Sequence, residues 1–272
     1  MKIRFLSFSI IMLVTGSQAT AHAGPQFLKV STKSTIELSQ LIDEAVGSDI
    51  LFVGETHDVK KQHENQLDLI RALLLKKVPV AIGLEMFTQE NQPNLDDWVA
   101  GTLQEKDFKP IYARNWSYDW MLYRDIFICA RDNHIPMIAL NIPKPVIAGI
   151  MSQGSSMPND TSLTLNNHQT EYLRRIYSQV FGNKPVPISF ENFCKAQALR
   201  NHGMAWSVAK FKERNPRHKI VVIAGTWHAI KNGVPEQLST YGNLSSAVIL
   251  PELPEFNVQK ISTDEADYIM LK

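Results

Sequence analysis

The feature that most constrains this chain is an alternation. Four strand-length apolar runs, at 49–55 (DILFVGE), 78–87 (VPVAIGLEMF), 135–141 (IPMIALN) and 219–225 (KIVVIAG), are separated by segments whose apolar residues recur at helical spacing. Leu67, Ile70, Leu73 and Leu74 mark a helix over 62–77, and Met121, Leu122, Ile126, Phe127 and Ala130 mark another over 118–133. A shorter helix is expected to begin at an Asn94 cap, and a long helical pattern runs from 190 to 214. Runs that stay apolar at every position suit strands covered on both faces, and intervening helices supply the crossovers that parallel strands need. Segments 246–250 and 267–271 can add strands. The expectation is therefore an α/β fold, a mostly parallel sheet flanked by helices.

The pattern breaks between 151 and 187. There a Ser/Gly/Pro/Asn-rich stretch leads to a helix-like segment over 165–181 and then to NKPVP. Tyr172, Leu173, Ile176, Tyr177, Val180 and Phe181 make one apolar stripe on it. Such a face packs on its own domain, covers a pocket as a lid, or meets a partner chain. We expect a helical insertion acting as a lid within one domain over 24–272.

The first residues set the compartment. Lys2 and Arg4 precede an apolar run over 5–14 and small residues ending Ala21-His22-Ala23, the order of a secretory signal peptide over 1–23. The run is shorter than the ~20 residues that span a bilayer, and no cysteine nearby can take a lipid, so an exported, periplasmic or secreted protein without a membrane anchor is expected. With 28 Lys plus Arg against 27 Asp plus Glu, the net charge of +1 gives no broad basic surface for nucleic acid. Cys129 and Cys194 sit in helix-like stretches as either buried thiols or a pair, and no zinc or c-type haem spacing occurs.

Ligands of open parallel sheets bind beyond the carboxyl ends of the strands. Here those ends are polar: Gly54-Glu55-Thr56-His57, Glu85 in LEMF, Asn141, and Gly225-Thr226-Trp227-His228. Two Gly-X-X-His endings at equivalent places, with a carboxylate on a neighbouring strand, point to a shared cleft of Glu55, His57, Glu85 and His228. Those four could ligate a divalent metal and activate water, which is hydrolase chemistry, or form a hydrogen-bonded network that shapes a pocket.

With GETHD at 54–58, LEMF at 84–87, IPMIALNIP around Asn141 and GTWHA at 225–229, the chain resembles the ChaN-like family, a haem-binding uptake branch of the superfamily that includes Tiki and TraB proteins. The likeness runs from about Asp49 to Leu238. It implies an α/β fold, export, and haem or iron acquisition. The Tiki branch implies metal-dependent peptide hydrolysis, with Glu55, His57, Glu85 and His228 as ligands or acid/base groups. Segment 197–205 (QALRNHGMA) departs from the family, with Asn201 and His202 where an acidic residue is expected ahead of the Met-Ala pair.

Haem needs an apolar slot, an axial His, Tyr or Met, and donors for its propionates. The insertion offers Tyr172, Tyr177 and His168 as iron ligands, and Arg174, Arg175 and Lys184 for the carboxylates. An apolar helix face can also self-associate, so a homodimer holding haem between two copies is a further expectation.

Overall fold

A computed structural model describes residues 24–153, 165, 167–182, 188–254 and 256–272. The signal-peptide expectation falls on residues 1–23 and Lys184 on 183–187, outside the described residues. The chain opens with a hairpin, β1 (Gln26–Lys29) and β2 (Ser34–Glu37), and a short helix α1 (Leu38–Ala45). Then come β3 (Ile50–Glu55), α2 (Lys60–Leu75), β4 (Val80–Thr88), α3 (Gln92–Val99), α4 (Glu105–Asn115), α5 (Trp120–Asp132) and β5 (Met137–Asn141). The second half holds α6 (Lys144–Gln153), α7 (Asn167–Phe181), α8 (Phe190–Arg214), β6 (Lys219–Gly225), α9 (Thr226–Ala229), α10 (Val234–Leu238), β7 (Ser246–Pro251) and β8 (Tyr268–Met270).

The strands form one sheet in the order β2-β1-β8-β7-β3-β6-β4-β5. From β8 to β5 every neighbouring pair is parallel, and the β1–β2 hairpin adds two antiparallel pairings at one edge. Strand alternation sends side chains to two cores. Leu51, Val53, Ile82, Leu84, Val221 and Ile223 face the side covered by α1 to α5, while Ile50, Phe52, Ala81, Ile220, Val222 and Val248 face the side of α8 and α10. This two-sided burial is why the central strands read as uninterrupted apolar runs.

Two helix ends close without glycine, on a residue that stands two positions before a proline, Pro79 or Pro136. Lys77, at φ 57°, and His134, at φ 51°, take the left-handed conformation just past α2 and α5. In both, the next two amides reach back to the helix: Lys77 N donates to Leu74 O and Val78 N to Leu73 O, and His134 N donates to Arg131 O and Ile135 N to Ala130 O. These Schellman turns launch β4 and β5. The expected Asn94 cap is displaced: α3 starts at Gln92 with proline in its first turn, and Asn94 lies inside, its amide donating to the Asn91 side chain. Helix α5 is capped by Asp119, whose carboxylate accepts from Met121 N.

Helix α7 packs on its own domain. Leu173 is buried against Phe193 and Cys194 of α8, and the Tyr172 ring lies 3.8 Å from that of Trp227, centroid to centroid. Cys129 and Cys194 are both free and buried, in separate clusters, Cys129 in the core under α1 to α5 and Cys194 among the residues of α7 and α8. Among the described residues no helix is long and apolar enough to cross a membrane.

Candidate functional site

The strand order builds the site. Strand β6 lies between β3 and β4, with Glu55 in register with Gly225 and Leu84 with Ile223, so three strand ends meet side by side. Glu55 ends β3 fully buried and gathers donors from three directions. His57 Nδ1 lies 2.9 Å from Oε1, Gln66 Nε2 donates to Oε2 at 2.9 Å, and the Tyr123 hydroxyl donates to Oε1. His63 Nδ1 stands 3.3 Å from Oε2. Burial pushes the Glu55 carboxyl up, but the bonds and charges of His57 and His63 outweigh it and hold it at about 2. Burial also raises the Tyr123 phenol, reinforced by the Glu55 charge, so it remains a donor.

Glu85 answers from β4. Gly225 N donates to its Oε2 at 2.6 Å and Arg200 Nη2, from α8, to its Oε1 at 2.6 Å. Burial pushes this carboxyl up too, yet the neighbouring cations and the Gly225 amide hold it at about 2. Asn141, at the end of β5, donates to Glu85 O and accepts from Arg200 Nε, which ties a fourth strand end to the same charge.

The two imidazoles are driven in opposite directions. His57 lies against Gly225: a Cβ there would stand 2.7 Å from its Cε1, 3.0 Å from its Nε2 and 3.4 Å from Glu85 Oε2. Burial lowers its proton affinity, but the Glu55 bond and the Glu85 and Glu55 charges raise it further, so the net shift is upward. Trp116 meets its ring edge-on at 4.8 Å, Tyr118 lies at 5.0 Å, and its side chain is 24% exposed where Glu55 is 1%. His57 is thus the member of the cluster that reaches solvent. His228 is buried, and burial with the Arg200 charge pushes it down to about 3, so it is neutral. Its Nδ1 is 2.5 Å from Asn201 Oδ1, an atom that only accepts, which places the proton on Nδ1 and leaves Nε2 facing Glu85 Oε1 at 3.6 Å.

The structure therefore brings Glu55, His57, Glu85 and His228 together. It adds residues that sequence reading missed: Gln66 and His63 from α2, Tyr123 from α5, and Arg200 from α8. Mid-helix polar residues read as a solvated face, so nothing flagged them. Asn201, noted only as a departure from the family pattern, orients His228. Its neighbour His202 turns elsewhere, to the Tyr241 hydroxyl at 2.8 Å.

The α7 candidates go to different neighbours. Tyr172 packs on Trp227 and Phe256, while Tyr177 lies among Phe181, Phe190 and Phe193 with its hydroxyl donating to Ile188 O. The Arg174 guanidinium sits 4.3 Å over the Phe190 ring, and Arg175 is exposed. The His168 side chain lies outside what the structure describes.

Beside Glu85 a cavity of about 410 Å³ opens between the end of β4, α6 and α8. Met86, Trp116, Ile142, Ile147 and Met151 supply apolar wall, and Arg200 and Lys144 supply cations. Trp116 is shared, touching both this cavity and His57.

A divalent metal fits these donors poorly. Glu85 is already neutralised by Arg200, and the Glu55 oxygens are filled by His57, Gln66 and Tyr123. Among the described residues no group of three or more His, Cys, Asp or Glu is placed to hold a metal ion.

Comparison with known proteins sets this geometry in a family. Residues 41–238 match the family described as haem-binding uptake, Tiki superfamily, ChaN, and the chain belongs to it. ChaN of Campylobacter jejuni, solved with cofacial haem, superposes with a TM-score of 0.75 at 18% identity, covering 91% of this chain and 96% of that one. The erythromycin esterase EreC, as its H289N mutant in an open conformation, superposes with a TM-score of 0.52 at 14% identity over 84% of this chain and 76% of that one. At these identities both show the fold. A search of curated protein sequences found no significant match.

Proposed function

We propose that this protein binds haem and serves haem or iron uptake from the periplasm. The observation that carries the reading is the family match over 41–238, which spans every segment of the site from β3 to His228. The chain's own chemistry fits the ligand: an apolar cavity edged by cations is what a flat, amphiphilic dicarboxylate needs. Export is supported by the basic, apolar and small-residue order of the first 23 residues. Val180 on α7, 61% exposed, is an apolar group that a second copy would cover, which supports a homodimer.

Titrating haemin into the purified protein should give a saturable Soret shift. If Tyr172 or Tyr177 ligates iron, it must first leave its ring contacts or its bond to Ile188, so Tyr172→Ala and Tyr177→Ala should alter the Soret band. A wild type that gives no Soret shift refutes haem binding. Sedimentation with and without haemin checks the dimer, and signal processing on expression checks export. The alternative, a metal-dependent hydrolase using Glu55, His57, Glu85 and His228, has less support because Arg200 occupies the charge a metal would need. Stoichiometric metal lost on His228→Ala would revive it.

A further inference from the structure

We infer that the groove between α2 and α5 is a contact surface for a second copy of this chain, each Leu75 entering the groove of the other across a two-fold axis. The surface is separate from the face of α7 and does not depend on the haem reading.

Leu75 closes α2 and is 85% exposed, more than any other large apolar side chain among the described residues. A single exposed leucine is ordinary, but this one stands on the lip of a groove of about 570 Å³. On α5 the groove is lined by Asp125, Ile128, Cys129 and Asp132, the i, i+3, i+4 and i+7 positions of one helix face, and on α2 by Arg71, Leu74 and Leu75. Ile128 and Leu74 are half-buried and Cys129 is buried, so the floor is apolar and the rim is charged. An apolar knob beside an apolar hollow is what an isologous contact needs, because a two-fold axis brings the knob of each copy to the hollow of the other.

The charges are arranged in the same way. Arg71 stands on the α2 wall and Asp125 and Asp132 on the α5 wall, all three exposed. The ion pairs of Arg71 and Asp125 within one copy are loose. Arg71 reaches Asp68 at 3.9 Å, and Asp125 lies 3.6 Å from Arg124 Nη1, a guanidinium that Glu105 already holds through Nε and Nη2. Across the axis, Arg71 of one copy meets Asp125 of the other, and the contact occurs twice. Edge-to-edge pairing at β5 is opposed, since Gln92 donates to Met137 O and accepts from Ala139 N along that edge. The groove also lies far from the acid cluster. The 16 residues of α2 put roughly 24 Å of helix between Leu75 and the end near His57, so the contact leaves the cluster open in both copies.

The test is sedimentation velocity of the purified protein without haemin. Wild type should show a monomer–dimer equilibrium with a Kd of about 1–100 µM. Leu75→Ala removes the knob from an exposed helix end, which leaves the fold intact by circular dichroism, and should weaken association by about tenfold or more. Arg71→Asp and Asp125→Arg should each weaken it several-fold, more at low salt than at high. An equimolar mixture of those two variants restores opposite charges at both contacts and should associate about as tightly as wild type. A wild type that stays monomeric at about 200 µM overturns the proposal, as does a Leu75→Ala protein that dimerises like wild type. A mixture no tighter than either variant alone overturns the charge pairing. Association that appears only with haemin leaves the haem reading standing and removes this surface.

Discussion

Gly225→Ala isolates the contact that places His57. The backbone at 225, φ −52° and ψ 143°, is open to alanine, so no strain arises there. What the methyl meets is the imidazole, at 2.7 Å from Cε1 and 3.0 Å from Nε2, well inside van der Waals contact. Overpacking of this kind costs about 1–3 kcal/mol, and the lower unfolded-chain entropy of alanine returns about 0.4–1 kcal/mol. The balance is a loss of about 1–2 kcal/mol, which lowers the melting temperature by roughly 2–8 °C in a chain of this size. If the ring instead swings outward, it leaves Glu55 and its proton affinity returns toward that of an ordinary histidine. Thermal melts, together with an NMR titration of His57, read both routes. In a His57→Ala background the obstacle is gone, and the same glycine replacement should stabilise by about 0.4–1 kcal/mol. An equal cost in both backgrounds, or an unshifted His57 titration with no loss of stability, would refute the placement of the ring over Gly225.

Tyr123→Phe removes a donor from the buried Glu55 carboxylate; it should cost about 1.5–3 kcal/mol in urea unfolding and raise the Glu55 carboxyl from about 2. Stability should peak near pH 6.5. Below that the unfolded chain protonates its His228 while the native one refuses until about 3, and below about 4.5 Glu55 and Glu85 lose their pairs as the pH falls toward about 2. Above pH 6.5 the stabilisation from His57 and His63, whose folded values are raised, is lost as they deprotonate. Urea midpoints against pH test this, and His228→Gln should flatten the limb between pH 6.5 and 3. Gly203→Ala sets a helix gain of about 0.8–1 kcal/mol against overpacking of about 1–3 kcal/mol on Ile142; a small net loss of stability is expected, read by thermal melting.

The central strands were legible because burial on both faces leaves a continuous apolar signature at 50–55, 80–88, 137–141 and 219–225. Elements without such a signature were not. β1 and β2 are four residues each, and α4 carries Pro110 inside it, which hides its helical spacing. The sheet order could not be read either, since periodicity says nothing about β6 lying between β3 and β4. Within the site, Glu55, His57, Glu85 and His228 stood out because strand ends are where ligands meet an open sheet. Their partners Gln66, Tyr123, Arg200 and Asn201 lie mid-helix, where a polar residue turned inward looks like one turned to water. Only the third dimension separates them.

The position of β6 also sets the order of assembly. β3 and β4 do not touch as partners; each pairs with the strand that arrives more than 130 residues after β4 begins, and until then both present open edges. A chain emerging from a ribosome can pair Glu55 with His57, Gln66 and Tyr123 early, but it lacks the Gly225 amide on Glu85 and the His228 ring until residue 228 has come through. The joined pair of acids, Glu55 on β3 and Glu85 on β4, is therefore closed by the second half of the chain, although both carboxylates are delivered in the first.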